Sequence, residues 1–290
     1  MKTIICSLLF SLIIQSACNP APKKQADLVA VGNKSTGKLF IIGGGDRTPL
    51  LMERMLDESG ADSNSYIAIL PMSSEEPDSA FIYITADIKE VSNIKCVNLN
   101  FTESDLIKES KLDSLRKAKI IFITGGDQNR FMNLVKGTPI QESIKSAYNN
   151  GSLIAGTSAG AAIMSEIMIS GDENFSAEYE ATYDKLWKEN GIYQDGLGLL
   201  KHVIVDQHFV ARSRHNRLLS ALCDYPGRYG MGIDEETAAI VHNNILTVAG
   251  ESQVLLYYPQ DTCQIQMHRI GMKNIRLDIL LPGDSVRLSN

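Results

Sequence analysis

The chain has 290 residues, 44% of them hydrophobic, enough for one globular domain whose core needs no covalent staples. Its formal net charge of −6 argues against nucleic acid as a partner, because neutralising phosphates calls for a basic face that this composition does not offer. Neither repeats nor disorder-prone tracts stand out.

In chain order, the first feature is a positive residue, Lys2, followed by the apolar run Ile4 to Ile14 and then Gln15-Ser16-Ala17-Cys18. Such a run is too short for a membrane anchor, which needs about 20 residues, and reads as a secretory signal. Small residues directly before a cysteine resemble the bacterial lipoprotein processing site, although Gln15 stands where that pattern usually has leucine. Lipidation of Cys18 is therefore expected, with ordinary signal cleavage as the alternative. Residues 1–18 form the signal, residues 19–36 a tether rich in Pro, Lys and Ala, and residues 37–290 a single folded domain. The expected location is the periplasm or outer membrane of a bacterium, with membrane contact only through the lipid.

Of the five cysteines, Cys6 leaves with the signal and Cys18 is the lipid site, so Cys96, Cys223 and Cys263 remain, at no metal-like spacing. Free buried thiols are the expectation, and neither a metal nor an organic cofactor is called for. An oxidising compartment would permit one disulfide, whose pair the sequence does not choose.

From Lys38 the pattern is an apolar run, a glycine-containing turn and a helical stretch, repeated. Leu39 to Ile42 runs into Gly43-Gly44-Gly45-Asp46, and Leu50 to Leu56 has helical spacing. Strand signals follow at Ser65 to Leu70, Val91 to Leu99, Lys119 to Thr124 and Ser152 to Ala155. Continuous apolar strands alternating with helices predict a three-layer α/β/α sandwich around a mainly parallel, doubly wound sheet. Beyond Val203 to Val205, close-spaced runs at Tyr229 to Ile233, Ala238 to Val241, Ile245 to Ala249 and Val254 to Tyr258 predict antiparallel strands at one edge of that sheet, with more strand after Thr262.

The sharpest chemical signal is Gly156-Thr157-Ser158-Ala159-Gly160, directly after an apolar strand and before a helical stretch. A serine between small residues at a strand-to-helix turn is a nucleophile elbow: the turn strains the backbone, glycines two positions away remove clashes, and the helix start aims free N–H groups at an oxyanion. Its base must be a histidine. Among His202, His208, His215, His242 and His268, His208 follows a strand end and so shares the carboxyl edge with Ser158. A third group should orient the imidazole. In Asp234-Glu235-Glu236, alternation places Asp234 and Glu236 on one side and Glu235 on the other, without saying which side faces the site.

Five ordered motifs resemble the cyanophycinase group of serine peptidases, related to bacterial aspartyl dipeptidases, over Lys38 to Tyr258. They are Ile41 to Gly45, Thr124 to Gln128, Gly156 to Ala161, Asp206 to Phe209, and Gly232 to Glu235. The resemblance implies a class I glutamine-amidotransferase-like or flavodoxin-like fold and a Ser158, His208, Glu235 triad with an acyl-enzyme. It also implies an oxyanion hole from the amides of Gly126 and Ala159, and a pocket lined by Gln128, Asp206 and Gln207. Arg212, Arg214 and Arg217 match family arginines, and helical spacing puts Arg214 and Arg217 on one face with Arg212 off it, suited to holding a substrate carboxylate. The implied activity is hydrolysis of β-linked aspartyl amides such as cyanophycin or β-aspartyl peptides, by a homodimer. The alternatives are an α-aspartyl dipeptidase and a surface lipoprotein that binds such peptides without cutting them. Ser170 to Gly196 matches no pattern.

Overall fold

The computed structural model describes residues 37–176 and 178–289; the signal, the tether and Cys18 lie outside the described residues. The first half alternates: β1 (Lys38–Ile42), α1 (Pro49–Ser59), β2 (Tyr66–Leu70), α2 (Pro77–Val91), β3 (Lys95–Asn98), α3 (Glu109–Arg116), β4 (Ile120–Ile123), α4 (Gln128–Val135), α5 (Pro139–Asn149), β5 (Leu153–Thr157) and the short α6 (Ala159–Ala162). The second half is mostly strand: β6 (Ile167–Glu173), β7 (Gly191–Asp195), β8 (Val203–Gln207), α7 (His215–Asp224), β9 (Tyr229–Ile233), β10 (Thr237–His242), β11 (Ile245–Gly250), β12 (Val254–Tyr257), β13 (Gln264–Gln266), β14 (Arg269–Gly271), β15 (Leu277–Leu280) and β16 (Ser285–Arg287). Helix starts follow local chemistry. Thr48 and Thr138 cap α1 and α5 with their hydroxyls, and a proline opens each helix, where its missing N–H costs nothing.

The main sheet has eight strands in the order β16-β11-β10-β1-β5-β4-β2-β3. From β1 to β3 the pairings are parallel, and β10, β11 and β16 extend the other edge antiparallel. Successive side chains enter opposite cores. Phe40 and Ile42 of β1 join Ile67, Ile69 and Phe122 under Leu51, Met52 and Met55 of α1. Leu39 and Ile41 join Ile121, Ile123 and Ile154 beneath Phe131 and Met132 of α4 and Ile140 and Ile144 of α5. Burial on both faces is why these strands read as unbroken apolar runs. The expected α/β sandwich is therefore present.

The later strands divide differently from the expectation. β10 and β11 do lie at the edge of the main sheet, but β8, β9 and β12 form, with β15, a separate sheet in the order β15-β12-β9-β8. Val203, Val205, Met231, Ile233 and Val254 of this second sheet enter the same core as Leu39 and Ile41. Its other face, with Ile204 and Leu255, packs under Leu218, Leu219 and Leu222 of α7. A strand buried on both faces has no local pattern that says which sheet it joins, so spacing alone misplaced these strands. The strand expected from Val91 also begins later, at Lys95, because α2 runs on to Val91 and closes with the Ser92 amide donating to the Ile88 carbonyl.

Cys223 and Cys263 form a disulfide that ties the end of α7 to the loop after β12, so the expectation of free thiols holds only for Cys96, which burial pushes to a raised pKa. These cysteines lie 40 residues apart in sequence, beyond the reach of any local spacing rule.

Candidate active site

Ser158 stands between β5 and α6 with φ 52° and ψ −109°, a conformation costing about 1–3 kcal/mol that persists only where the surroundings impose it. Two close approaches do so. A Cβ at Gly156 would lie 2.3 Å from the Gly160 carbonyl oxygen, and one at Gly160 would lie 2.3 Å from that of Ile123. The Ser158 amide donates to the Ile42 carbonyl at 3.0 Å, which ties the elbow to β1.

His208 follows β8 and is also left-handed, with φ 49°. Its amide donates to the Gly43 carbonyl at 2.8 Å, and its ring lies flat against Gly44, where a Cβ would come within 2.1 Å of Cε1. This contact places Nε2 at 2.8 Å from Ser158 Oγ. Nδ1 lies 2.6 Å from Oε1 of Glu235, in the turn after β9. With a neutral ring, Nδ1–H donates to Glu235 and Nε2 is left to accept the serine proton. Burial lowers the His208 pKa, opposed by the hydrogen bond to Glu235 and reinforced by the charges of Arg212 and Arg214, so the ring is neutral and able to accept a proton at neutral pH.

Alternation left three carboxylates open, and they separate sharply. Asp234 is buried, and its Oδ1 accepts from the amides of Val210 at 3.0 Å and Ala211 at 2.8 Å while Oδ2 accepts from Ser252 at 2.7 Å. It shapes the loop that carries His208. Glu236 turns with φ 54°, and its amide bonds to the Gly44 carbonyl. Glu235 alone reaches the imidazole.

Gly125 and Gly126 follow β4 beside the elbow. A Cβ at Gly125 would lie 3.4 Å from that of Ser158, and one at Gly126 would lie 2.2 Å from the Ser73 carbonyl oxygen. Ser73 fastens this loop, its hydroxyl donating to the Thr124 carbonyl at 2.7 Å. The amides of Gly126 and Ala159 make no hydrogen bond to another described residue.

Of the remaining expected residues, Asp206, Gln207, Arg214 and Arg217 form one polar cluster. Arg217 is buried and grips Asp206 with two guanidinium nitrogens, Nε at 2.7 Å and Nη2 in closer contact. Its charge is thus committed to Asp206, and the expected role of Arg217 as a direct carboxylate anchor gives way to this pair. Removing either partner of such a pair typically costs about 3–5 kcal/mol. Arg214 occupies the N-cap position of α7 and donates to the Gln207 carbonyl and side chain. Burial pushes its pKa down to about 10, and its buried Nε has no partner among the described residues. Arg212 is exposed. Gln128 donates to the carbonyls of Ile169 and Ser170 in β6.

Ser158 and His208 open onto a cavity of about 270 Å³ whose other walls are Gly44, Gly45 and Arg47 after β1, and Ala80, Tyr83 and Ile84 of α2. Gly44 and Gly45 belong to the motif Ile41 to Gly45, but Arg47 and the α2 residues Ala80, Tyr83 and Ile84 were not singled out from sequence, since none of them belongs to a motif. In the segment that matched no pattern, Tyr179 donates to Asn216 and covers Arg217, its ring centroid 5.6 Å from the guanidinium carbon.

Residues 39–249 match the model of peptidase family S51. A cyanophycinase of Nostoc sp. is 32% identical over 284 residues, covering 93% of this chain and 92% of its own. A cyanophycinase of Geminocystis herdmanii is 33% identical over 233 residues, covering 77% and 82%. Among solved structures, a peptidase from an acI-B1 Actinobacterium superposes with a TM-score of 0.65 at 19% identity, covering 88% of this chain and 98% of its own.

Proposed function

The chain belongs to peptidase family S51 and is a serine-type peptidase, and we propose that it cleaves β-linked aspartyl amides, in cyanophycin or in β-aspartyl peptides, with Ser158, His208 and Glu235 as its catalytic residues. The observation that carries this reading is the unbroken relay from Ser158 Oγ through His208 to Glu235, at 2.8 and 2.6 Å. The substrate class follows from the cyanophycinases that the chain resembles over most of its length.

In this reading His208 Nε2 takes the proton of Ser158 as Oγ attacks the amide carbonyl, and Glu235 stabilises the imidazolium that forms. The amides of Gly126 and Ala159 receive the oxyanion. His208 then gives its proton to the leaving amine, and water, activated by the same ring, hydrolyses the acyl-serine. The buried Asp206–Arg217 pair holds Gln207, whose side chain accepts from both Arg214 and Arg217, beside His208. Export with lipid attachment at Cys18 belongs to the same proposal. It is supported by the N-terminal pattern and by the Cys223–Cys263 disulfide, since such bonds persist in oxidising compartments. A homodimer is proposed on the family resemblance alone.

The test is incubation of the purified protein with cyanophycin, β-aspartyl-arginine and α-aspartyl-arginine, with released dipeptide or arginine measured. Cleavage of a β-linked substrate by the wild type and none by Ser158→Ala is the expected result. Equal behaviour of the two proteins, or cleavage of the α-linked peptide alone, contradicts the proposal.

A further inference from the structure

Two polar regions flank Ser158, and only one of them is closed on itself. On the α7 side the charges of Asp206 and Arg217 satisfy each other. On the α2 side the open cavity carries a single cation besides the titrating ring, Arg47. Arg47 is ion-paired with Asp87 through one nitrogen, Nε donating to Oδ2 at 2.6 Å, and Nη1 makes a long 3.4 Å contact with the Gly45 carbonyl. Its Nη2 makes no hydrogen bond to another described residue, and its side chain keeps 19% of its exposure. A guanidinium fixed through Nε presents its outer edge as a two-pronged donor, the geometry that suits a carboxylate.

Which part of a substrate meets it follows from the direction of proton transfer. The amine that departs collects its proton from His208 Nε2, in the plane of the ring, so it leaves beside the Nε2 edge of the imidazole. That ring rests on Gly44, and the wall continues through Gly45 to Arg47. The cavity, at about 270 Å³, is smaller than the roughly 300–1,000 Å³ of sites for drug-sized ligands and suits a short group rather than a continuing polymer.

We propose that Arg47, oriented by Asp87, receives a free carboxylate on the leaving portion of the substrate, so that the enzyme favours bonds whose released amine belongs to an amino acid with an unblocked carboxyl group. This inference deepens the proposed function and rests on its assignment of Ser158 and His208. Arg47 is a specificity residue: its contact favours one substrate class and takes no part in proton transfer.

The experiment separates the two readings by measuring binding without chemistry. Calorimetry on Ser158→Ala compares β-aspartyl-arginine with its C-terminal carboxamide. A charge-assisted contact should make the acid bind about tenfold to a hundredfold tighter than the amide. Adding Arg47→Ala should abolish that preference, and Arg47→Lys should keep part of it, since it preserves the charge without the fork. Should Arg47→Ala fail to fold, the Ser158→Ala preference and its reduction in Arg47→Lys still decide the matter. Equal affinity for acid and amide in Ser158→Ala, no binding of either, or a preference that survives Arg47→Ala overturns the inference. Failure of the wild type to hydrolyse these peptides would instead remove the proposed function, leaving a measured acid preference in place.

Discussion

The two sheets supply the site with different things. The eight-stranded sheet contributes backbone: the strained elbow at Ser158 and the amides of Gly126 and Ala159, unbonded among the described residues. The four-stranded sheet contributes two polar side chains, His208 after β8 and Glu235 after β9. Backbone geometry is enforced by burial and close approach and is indifferent to pH, whereas the imidazole must take up and release a proton beside the carboxylate that answers its charge. The two halves meet at a narrow seam, where the amides of His208 and Glu236 donate to the carbonyls of Gly43 and Gly44 at 2.8 and 2.9 Å. In the proposed mechanism, catalysis across the seam depends on register that neither sheet sets alone.

That division is most exposed at the neighbours Asp234 and Glu235. Glu235→Gln keeps shape but should lower kcat about 10³- to 10⁴-fold with little change in melting temperature, because the imidazolium loses its stabilising charge. Asp234→Asn should do the reverse, costing about 1–3 kcal/mol of stability through its three buried hydrogen bonds. Paired thermal melts and steady-state kinetics check both, and exchanged effects would break the comparison.

The seam itself comes next. Gly44→Ala puts a methyl group where the imidazole lies and demands φ 122° of an alanine, so the ring must move. A displacement of about 1 Å typically costs on the order of 100-fold, which the kcat of the variant would report. An unchanged kcat would mean the ring is not held there.

The smallest effect is on pH. Protonated His208 cannot accept the serine proton, and burial together with the charges of Arg212 and Arg214 disfavours that protonated form. The acid limb of kcat/KM should therefore lie below the ordinary imidazole value of about 6.5. Arg212→Gln removes one opposing charge and should move the limb upward, less so at high salt because Arg212 is exposed. A limb above 6.5, or one that falls further in this variant, would contradict the assignment.

The parallel half of the fold and the elbow were legible because both are local: an apolar run, a glycine turn and a helix start each declare themselves within about ten residues. Ser158, His208 and the carboxyl-edge location could be read that way, and the family resemblance selected Glu235 where alternation could not. The second sheet was illegible, since Tyr229 to Ile233 and Ala238 to Val241 carry similar patterns yet join different sheets. The Cys223–Cys263 bond and the placement of Arg47 beside Ser158 arise from tertiary contact, with no periodic signal behind them. Arg217 matched a pattern, but only burial showed that its charge is answered by Asp206.

The central claim is that Ser158 and His208 act as one unit across the seam, and a double-mutant cycle tests it most directly. His208→Ala should lower kcat/KM on a β-aspartyl substrate by about 10⁴-fold or more in the wild type, yet change it less than about threefold once Ser158→Ala is present, because residues acting as a unit are not additive. Equal losses in the two backgrounds would show that the histidine acts independently of the serine and would contradict the account.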